Sequence, residues 1–377
     1  MPRPTVVISI NASWNIVNFR RGLIAALQER GFRVVALAPI DDYSARLADL
    51  GVDHHAIEMD KQGVSPIRDF KLLLDYRRAL RRIRPDIFLG YTAKPNVYGS
   101  LAAHSLGIPV INNVSGLGTA FIKQGLLTKI VSMLYRWAFR RSSTVFFQNH
   151  EDKDLFVQAK LVRPEQAKLL PGSGVDVQRF RPAETRATHQ DAFTFLLVAR
   201  LLWDKGVGEY VEAARQVRAQ DPDTRFQLLG FLDVANRTAV GRSHVDGWVA
   251  EGLIDYLGHS DDVRPFVGAA DCIVLPSYRE GLPRVLLEGA AMAKPLVATD
   301  VPGCRQVVED GRNGFLCAVR DPRSLADAML RMIGSGDAQR QAMGVAGRHL
   351  IETEYDERIA IDRYLAAIED ALSGRSG

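Results

Sequence analysis

Short apolar runs alternate with amphipathic stretches along the whole 377-residue chain. The apolar runs are continuous in Val, Ile and Leu, which is typical of parallel strands that are buried on both faces and joined by helices. The first half contains TVVISI, RVVALAP, DHHAIEM, IFLGY, PVINNVS and STVFFQN. The second half contains FTFLLVAR, RFQLLG, IDYLGH, CIVLPS, PLVATD and GFLCAV. This pattern predicts an α/β protein.

The alternation breaks once, in the stretch GVDVQRFRPAETRATHQDAFTF, where Pro182, charges and small polar residues replace the apolar runs. Single cores stop growing beyond about 250–300 residues, so a chain of this length is expected to form two domains. We predict two doubly wound parallel-sheet domains, 1–182 and 183–355, that face each other across a cleft. The tail, 356–377, has apolar residues at helical spacing and is expected to pack back towards the N-terminal domain.

Charge is distributed unevenly along the sequence. Residues 1–182 contain 26 Lys and Arg against 15 Asp and Glu, whereas the remainder contains 22 against 29. No acidic residue occurs between Asp86 and Glu151. The first half is therefore expected to face an anionic partner, and because no nucleic-acid-binding motif accompanies the charge, a membrane surface is favoured. Ordinary basic helix faces exposed to water are the alternative.

Other bulk features restrict the compartment and the cofactor. No apolar run reaches the roughly 18 residues that span a bilayer, and MPRPTVVISI has no signal-peptide core. The three cysteines lack CxxC spacing, which argues against a disulfide scaffold and against a zinc site. We expect a cytoplasmic chain, peripherally associated with the inner face of the plasma membrane, that binds no metal.

Two glutamates stand eight residues apart in SYREGLPRVLLEGAAMA. A helix is predicted over LPRVLLEGAAMA with Pro283 in its first turn, and its free N–H groups, beginning at Gly281, suit a phosphate. A helical rise would separate Glu280 from Glu288 by about 12 Å. That is the reach from the sugar of a nucleotide sugar to its ribose, so Glu280 suits a hexose and Glu288 a ribose diol. Two solvated surface acids are the alternative.

Two cations follow the first strand of the second half, in FLLVARLLWDKGVGEY. The strand is predicted to end at Arg200, and Lys205 lies in the next turn. A forked guanidinium and a mobile ammonium at the carboxyl end of a strand can stabilise a departing diphosphate without a metal ion. A surface salt bridge is the ordinary alternative for either residue alone.

Four segments together resemble the family 4 retaining glycosyltransferases: SYREGLPRVLLE, VARLLWDKGV, LLPGSGVDVQRFRP and LVATDVPGCRQVVEDGRNGFL. The resemblance covers nearly the whole chain and implies the GT-B architecture of two Rossmann-like domains. It implies that Arg200 and Lys205 hold the donor diphosphate, Glu280 the donor sugar and Glu288 the ribose. The backbone around Gly281, Leu282 and Pro283 is then expected to lie against the donor.

The first half is similar to the members of this family that extend sugars on undecaprenyl diphosphate in capsule, O-antigen and glycan assembly. YTAKPNVYGSLAAHSLGIPVINNVSGLGTAF carries this similarity, as does LLWDKGVGEY, which resembles the N-acetylgalactosaminyltransferase acting on lipid-linked bacillosamine. The chain departs from the family where NASWNIVNFR replaces a Gly-Gly pair and where NNVSGLG replaces a histidine. Lys94, Ser115 and Gly116 are the candidates for contacting the acceptor.

The sequence thus predicts a retaining glycosyltransferase that uses a nucleotide sugar, with UDP favoured, and a lipid-diphosphate-linked saccharide. A UDP-sugar epimerase or a phosphorylase of the same fold is one alternative, distinguished by turnover without a lipid acceptor. A non-catalytic two-domain sugar-binding protein is the other, distinguished by tight binding without turnover.

Overall fold

The computed structural model describes residues 3–60, 65–115, 126–182, 192–232, 236 and 238–374. Grouping by contacts divides the chain into two units, which are Met1–Ser173 together with Glu357–Gly377, and Gly174–Asp356. Each unit is built on one parallel sheet with helices as crossovers.

The first unit has a seven-stranded sheet in the order β3-β2-β1-β4-β5-β6-β7, in which every neighbouring pair is parallel. Its strands are β1 (Thr5–Ser9), β2 (Arg33–Ala38), β3 (Asp53–Ala56), β4 (Ile87–Tyr91), β5 (Val110–Val114), β6 (Thr144–Phe147) and β7 (Ala167–Leu169). Its helices up to the division are α1 (Ser13–Phe19), α2 (Arg21–Glu29), α3 (Pro66–Ile83), α4 (Ser100–His104), α5 (Leu126–Phe139) and α6 (His150–Gln158). A π-helical turn, Pro95–Gly99, leads directly into α4.

The second unit has a six-stranded parallel sheet in the order β10-β9-β8-β11-β12-β13. Its strands are β8 (Thr194–Val198), β9 (Arg225–Leu229), β10 (Asp255–Tyr256), β11 (Cys272–Leu275), β12 (Leu296–Thr299) and β13 (Gly314–Cys317). Its helices are α7 (Val207–Arg218), α8 (Arg242–Ala250), α9 (Arg264–Ala269), α10 (Arg284–Ala291), α11 (Pro302–Arg305), α12 (Pro322–Gly334) and α13 (Gly336–Leu350).

All twelve strands predicted from the sequence are present, and both sheets are parallel and Rossmann-like, as predicted. The interior strands are buried along almost their whole length, which explains their continuous apolar runs. The short edge strand β7 was not predicted, because AKL contains only two apolar residues.

The division between the units falls at Ser173 rather than at the predicted residue 182. The segment before Pro182 belongs with the second unit because Val175, Val177 and Phe180 are buried in that unit's apolar core. The last helix, α14 (Glu357–Ser373), belongs with the first unit. It buries Tyr364 and Ile368 in the core that surrounds β1 and β4.

The strand order reverses between β1 and β4 in the first sheet and between β8 and β11 in the second. At such a switch point the crossovers leave on opposite faces of the sheet, which opens a crevice at the carboxyl ends of the strands. Ligands of doubly wound folds bind in that crevice, so the side chains at these two edges are the candidates for contacting a ligand. Within the described residues, no helix has the length and hydropathy needed to cross a bilayer.

Candidate active site

Arg200 lies at the carboxyl edge of the second sheet. The strand β8 ends at Val198, two residues before the predicted end, so Arg200 stands in the connection and not on the strand. Its side chain is exposed, and its guanidinium has no hydrogen-bond or ion-pair partner among the residues that the structure describes. An exposed guanidinium at this edge is available to an anionic ligand.

Lys205 closes a 3₁₀ turn, Trp203–Lys205, and is followed by Gly206 in the left-handed conformation, with φ of 72°. A Cβ on Gly206 would lie 2.1 Å from the carbonyl oxygen of Pro276, so the turn packs directly against the end of β11. Glycine is required here both by the backbone conformation and by this close approach.

The consequence of that packing is an ion pair between two predicted site residues. Lys205 Nζ donates to Glu280 Oε1 at 2.5 Å, and the two side chains retain 22% and 12% of their exposure. The structure therefore brings Lys205 and Glu280 together, although 75 residues separate them along the chain. An ammonium and a carboxylate at the same point offer both a donor and an acceptor to a ligand.

Tyr278, which was not predicted from the sequence, connects the turn that carries Lys205 to the loop that carries Glu280. Its backbone N–H donates to the carbonyl oxygen of Asp204 at 3.0 Å, and its hydroxyl donates to Glu209 Oε1 at 2.7 Å. Burial, with a further contribution from the Glu209 carboxylate, raises the pKa of Tyr278 to about 12. The Lys205 turn is thus held against the Glu280 loop by side-chain and backbone contacts.

The segment between the two glutamates is only partly helical. Helix α10 begins at Arg284, and Pro283 has extended dihedrals in the N-cap position, one residue before the predicted first turn. Glu280 therefore precedes the helix by four residues, and the separation of about 12 Å expected from a helical rise does not apply to this segment. The backbone of Gly281 packs closely against Gly303, because a Cβ on Gly303 would lie 2.4 Å from the Gly281 carbonyl oxygen. Leu282 packs partly buried on the apolar core.

Glu288 is buried in the first two turns of α10 and is paired. Arg284, four residues earlier, donates from Nε to Glu288 Oε1 at 2.7 Å and from Nη1 to the carbonyl oxygen of Gly174 at 3.2 Å. Burial raises the pKa of Glu288, and the Arg284 guanidinium opposes that shift. The partner was readable from the i,i+4 spacing of arginine and glutamate but was not predicted.

In the first unit, Lys94 follows β4 and pairs with Asp69, in the first turn of α3, at 2.9 Å. This partner was not predicted either, and Lys94 is consequently not a free cation. Ser115 is exposed directly after β5. Gly116 lies outside the described residues, so its expected acceptor contact stays a prediction.

A buried cation in the first unit escaped the sequence analysis. Arg20 is only 6% exposed, and its guanidinium carbon lies 4.4 Å from the centre of the Tyr91 ring. It donates from Nη1 to the carbonyl oxygen of Phe19 at 3.1 Å, while its Nε has no partner among the described residues. Phe19 and Arg20 line a small cavity with Leu23, Ser173, Glu357, Ala360, Ile361 and Tyr364. Stacking on the Tyr91 ring contributes part of the stabilisation of the buried Arg20 guanidinium.

Two units, each built on a doubly wound parallel sheet with cations and carboxylates near its carboxyl edge, are the architecture expected of the GT-B class of glycosyltransferases. Two family models match the chain accordingly: "Glycosyl transferase 4-like domain" over residues 16–173 and "Glycosyl transferases group 1" over residues 192–335. The two matches correspond to the two units. The chain belongs to the glycosyltransferases that these models describe.

Curated relatives of similar length are named as glycosyltransferases. The chain is 26% identical over 370 residues to the N,N'-diacetylbacillosaminyl-diphospho-undecaprenol alpha-1,3-N-acetylgalactosaminyltransferase of Campylobacter jejuni, a match covering 94% of this chain and 96% of that protein. It is 26% identical to the UDP-Gal:alpha-D-GlcNAc-diphosphoundecaprenol alpha-1,3-galactosyltransferase of Escherichia coli, over 72% of each. These names favour a transferase over an epimerase, a phosphorylase or a binding protein.

The same fold occurs among solved structures. The Anabaena protein HepE in complex with UDP and glucose superimposes with a TM-score of 0.78 at 17% identity, over 97% of this chain and all of that one. This likeness shows that the architecture is shared. Within the described residues, no group of three or more His, Cys, Asp and Glu is arranged to hold a metal ion.

Proposed function

We propose that this glycosyltransferase moves a hexose or N-acetylhexosamine from a nucleotide sugar, with UDP favoured, to a lipid-diphosphate-linked saccharide. The reaction would serve capsule, O-antigen or protein-glycan assembly. The observation that carries the proposal is the Lys205–Glu280 pair at 2.5 Å, which lies with the exposed Arg200 at the carboxyl edge of the second sheet. The names of the relatives support the same donor and acceptor classes.

Each donor-site residue has a role suited to its chemistry. Arg200 and Lys205 stabilise the charge that develops on the departing diphosphate, and the backbone at Gly281 approaches the phosphates ahead of helix α10. Glu280 accepts hydrogen bonds from hydroxyls of the donor sugar, and Glu288 accepts them from the ribose diol. Because Arg200 supplies a positive charge that no carboxylate of the described residues neutralises, and the Lys205 ammonium adds donors beside it, we propose that turnover needs no metal ion.

We further propose that the anomeric configuration of the sugar is retained. The acceptor hydroxyl attacks on the face that the diphosphate leaves, the bond from the anomeric carbon to the phosphate oxygen breaks, and that oxygen takes the hydroxyl proton. No protein side chain is then required as a base. Adding a chelator should leave turnover unchanged, whereas loss of activity on chelation would contradict the metal-free proposal.

The overall proposal is tested with a panel of UDP- and GDP-sugars, by measuring nucleotide release with and without bacterial lipid extract. Release from one donor that rises strongly on adding the extract is expected, and it would name the sugar. Release at the same rate without lipid would favour a hydrolytic activity, whereas conversion of the donor into another nucleotide sugar without release would favour an epimerase. Tight binding without release in either condition would overturn the assignment as a transferase.

We infer that the first unit attaches the enzyme to the inner face of the plasma membrane, where a lipid-linked acceptor resides. Helix α5 supports this inference: besides its buried face it exposes Ile130, Met133 and Trp137, at 39%, 45% and 57%. Their spacing of three and four residues places them on one face of the helix, here named the α5 ridge. Exposed cations flank the ridge, namely Lys129, Arg136, Arg140 and Arg141. An apolar ridge flanked by cations suits an anionic bilayer surface.

Co-sedimentation with vesicles tests the attachment. The chain should bind vesicles that contain phosphatidylglycerol and should bind pure phosphatidylcholine weakly, and the bound fraction should fall with salt. Trp137→Ser together with Met133→Ser should lower the bound fraction several-fold. Val345→Ser, at an exposed apolar residue of α13 in the second unit, is the matched control. Equal binding of all three proteins would contradict the inference.

A further inference from the structure

Lys94 is paired with Asp69, a carboxylate that Tyr98 also contacts, and the proposed donor chemistry uses none of these three side chains. Its ammonium donates to Asp69 Oδ1 at 2.9 Å, and the two side chains retain only 18% and 5% of their exposure. The hydroxyl of Tyr98 hydrogen-bonds to the same carboxylate, and burial together with Asp69 raises the pKa of Tyr98. Asp69 itself lies in the first turn of α3, where the helix dipole favours its negative charge.

The segment that presents Lys94 and Tyr98 is rigid. Thr92, directly after β4, has a φ of 63°, which a β-branched residue adopts only when its surroundings enforce it. The π-helical turn then carries Asn96 inward, where it donates to the carbonyl oxygen of Asn113 at 2.8 Å and accepts from Asn112 at 3.0 Å. Ser142 completes the network by donating to Asn112 at 2.7 Å. A buried and mutually bonded amide network of this kind fixes one geometry.

The position of Lys94 is that of a ligand site. It follows β4, which borders the switch point of the first sheet. Burying a lysine and an aspartate costs several kcal/mol of desolvation per ion, so the pair contributes little net stability, and contact with a ligand would give it a different role.

The charge of the pair selects among the chemical groups of an acceptor. A phosphate that approached Lys94 would also approach the Asp69 carboxylate, which is only 2.9 Å from the ammonium. Repulsion from the carboxylate would offset most of the attraction to the ammonium. A neutral hydroxyl experiences no such opposition, and the remaining N–H groups of an ammonium can donate to its oxygen.

We propose that Lys94 donates a hydrogen bond to a hydroxyl of the acceptor saccharide, and that Asp69 is the positioning residue that aims its ammonium. The proposal rests on the proposed function, since it assigns a subsite for the saccharide acceptor. Asp69 acts through Lys94, and the donor site in the second unit does not depend on either residue.

The experiment is a double-mutant cycle with Lys94→Met and Asp69→Asn. Two acceptors are compared, namely bacterial lipid extract and the water-soluble saccharide released from it by mild acid. Each single variant should raise the KM of both acceptors by about tenfold to a hundredfold, as expected for one hydrogen bond from a charged donor. Hydrolysis of the donor in the absence of acceptor should not change. The double variant should be no worse than Lys94→Met alone, because Asp69 acts through the lysine.

Controls separate positioning from stability. Lys71→Met removes a second lysine of the first unit that is paired with a carboxylate, Glu58, in a fully exposed pair, and it should leave both KM values unchanged. Asp69→Glu, which keeps the carboxylate, should restore part of the acceptor affinity. Melting temperatures are measured for every variant. A parallel fall in donor hydrolysis and melting temperature would show a merely structural role and overturn the proposal.

Other outcomes also contradict it. Additive effects in the cycle would show that Asp69 does not act through Lys94, and an effect on the lipid extract alone would assign Lys94 to the diphosphate. An unchanged acceptor KM in variants of an active enzyme would overturn this inference and leave the proposed function intact. If lipid extract fails to stimulate the unaltered enzyme, the proposed function and this inference both fall.

Discussion

Each unit has a lysine–carboxylate pair beside the end of a strand that borders the switch point of its sheet. Lys205–Glu280 lies at the carboxyl edge of the second sheet at 2.5 Å, and Lys94–Asp69 follows the fourth strand of the first at 2.9 Å. Both pairs are largely shielded from water, and neither lysine lies next to its partner in the sequence. The two pairs differ in the charged residues that surround them.

The second unit adds an exposed guanidinium at the same edge, that of Arg200, which has no partner among the described residues. In the first unit the additional cation is Arg20, which is 6% exposed and covered by the Tyr91 ring. A ligand can therefore reach surplus positive charge at the edge of the second sheet, whereas near Lys94 it meets a neutral pair. The same two residue types thus suit a diphosphate in one unit and a neutral sugar in the other.

The largest effect on turnover should come from removing the surplus positive charge of Arg200. Arg200→Ala is expected to lower kcat by about 10²–10³-fold, because it removes one preorganised donor to the leaving diphosphate. Its melting temperature should be close to that of the unaltered chain, since the side chain is exposed. The measurement is nucleotide release with the active donor and lipid extract.

Arg225→Ala is the matched control for that variant. Arg225 is also exposed, but it begins strand β9 and so lies at the amino edge of the same sheet. Its activity should stay within about twofold of normal by the usual behaviour of surface substitutions. Equal activity in the two variants would remove the distinction drawn between the two units.

A smaller loss of turnover should follow from a substitution that displaces Lys205 but leaves its side chain unchanged. In Gly206→Ala the new Cβ would meet the Pro276 carbonyl oxygen at 2.1 Å, so the turn must move. A displacement of about 1 Å in a catalytic group can lower the reaction rate by about 10²-fold. Gly206→Ala is therefore expected to lower kcat and to leave the acceptor KM unchanged. Steady-state kinetics with both substrates varied would measure this.

Gly252→Ala separates backbone strain from displacement. Gly252 has a φ of 66°, close to that of Gly206, but a Cβ there would have no atom within 4 Å. Both variants should lose about 1–2 kcal/mol of stability through the left-handed conformation, while only Gly206→Ala should lose turnover. A comparable fall in kcat for both would mean that the Pro276 contact does not position Lys205.

The sequence predicts the sheets well because burial on both faces leaves a local signature. The runs of β4 and β11, for example, are apolar at nearly every position and buried throughout. The pairing of Lys205 with Glu280 was not predicted, although both residues were. That contact depends on the left-handed Gly206 and on the packing of its turn against Pro276, which no local pattern encodes.

Partners were missed for two different reasons. Arg284 lies four residues before Glu288 on the same helix face, so the i,i+4 spacing alone could have predicted their contact. Asp69 is 25 residues from Lys94, and β4 lies between them, so only the fold brings them together. The proposed contact of Lys94 with the acceptor was therefore based on a free cation in the sequence, whereas the structure shows a neutral pair.

The smallest expected effect concerns pH and the third pair, Arg284–Glu288. Burial raises the folded-state pKa of Glu288 above its ordinary value, so between those two pKa values the folded chain holds more protons than the unfolded chain. The free energy of unfolding should therefore fall as pH rises through that window, and the cost should be complete above the raised pKa. Glu288→Gln has no such proton, so its stability relative to the unaltered chain should increase as pH rises through the window.

Denaturant unfolding at several pH values measures this difference, with Glu309→Gln, at a half-buried glutamate paired with Arg312, as the control. The same titration should be visible in catalysis. If Glu288 accepts hydrogen bonds from both ribose hydroxyls, as proposed, protonation removes part of its acceptor capacity. The donor KM should then rise as pH falls through the raised pKa and should lose that dependence in Glu288→Gln. A donor KM with the same pH dependence in both proteins would remove Glu288 from the donor site, and a stability difference that does not vary with pH would show that burial does not govern its charge.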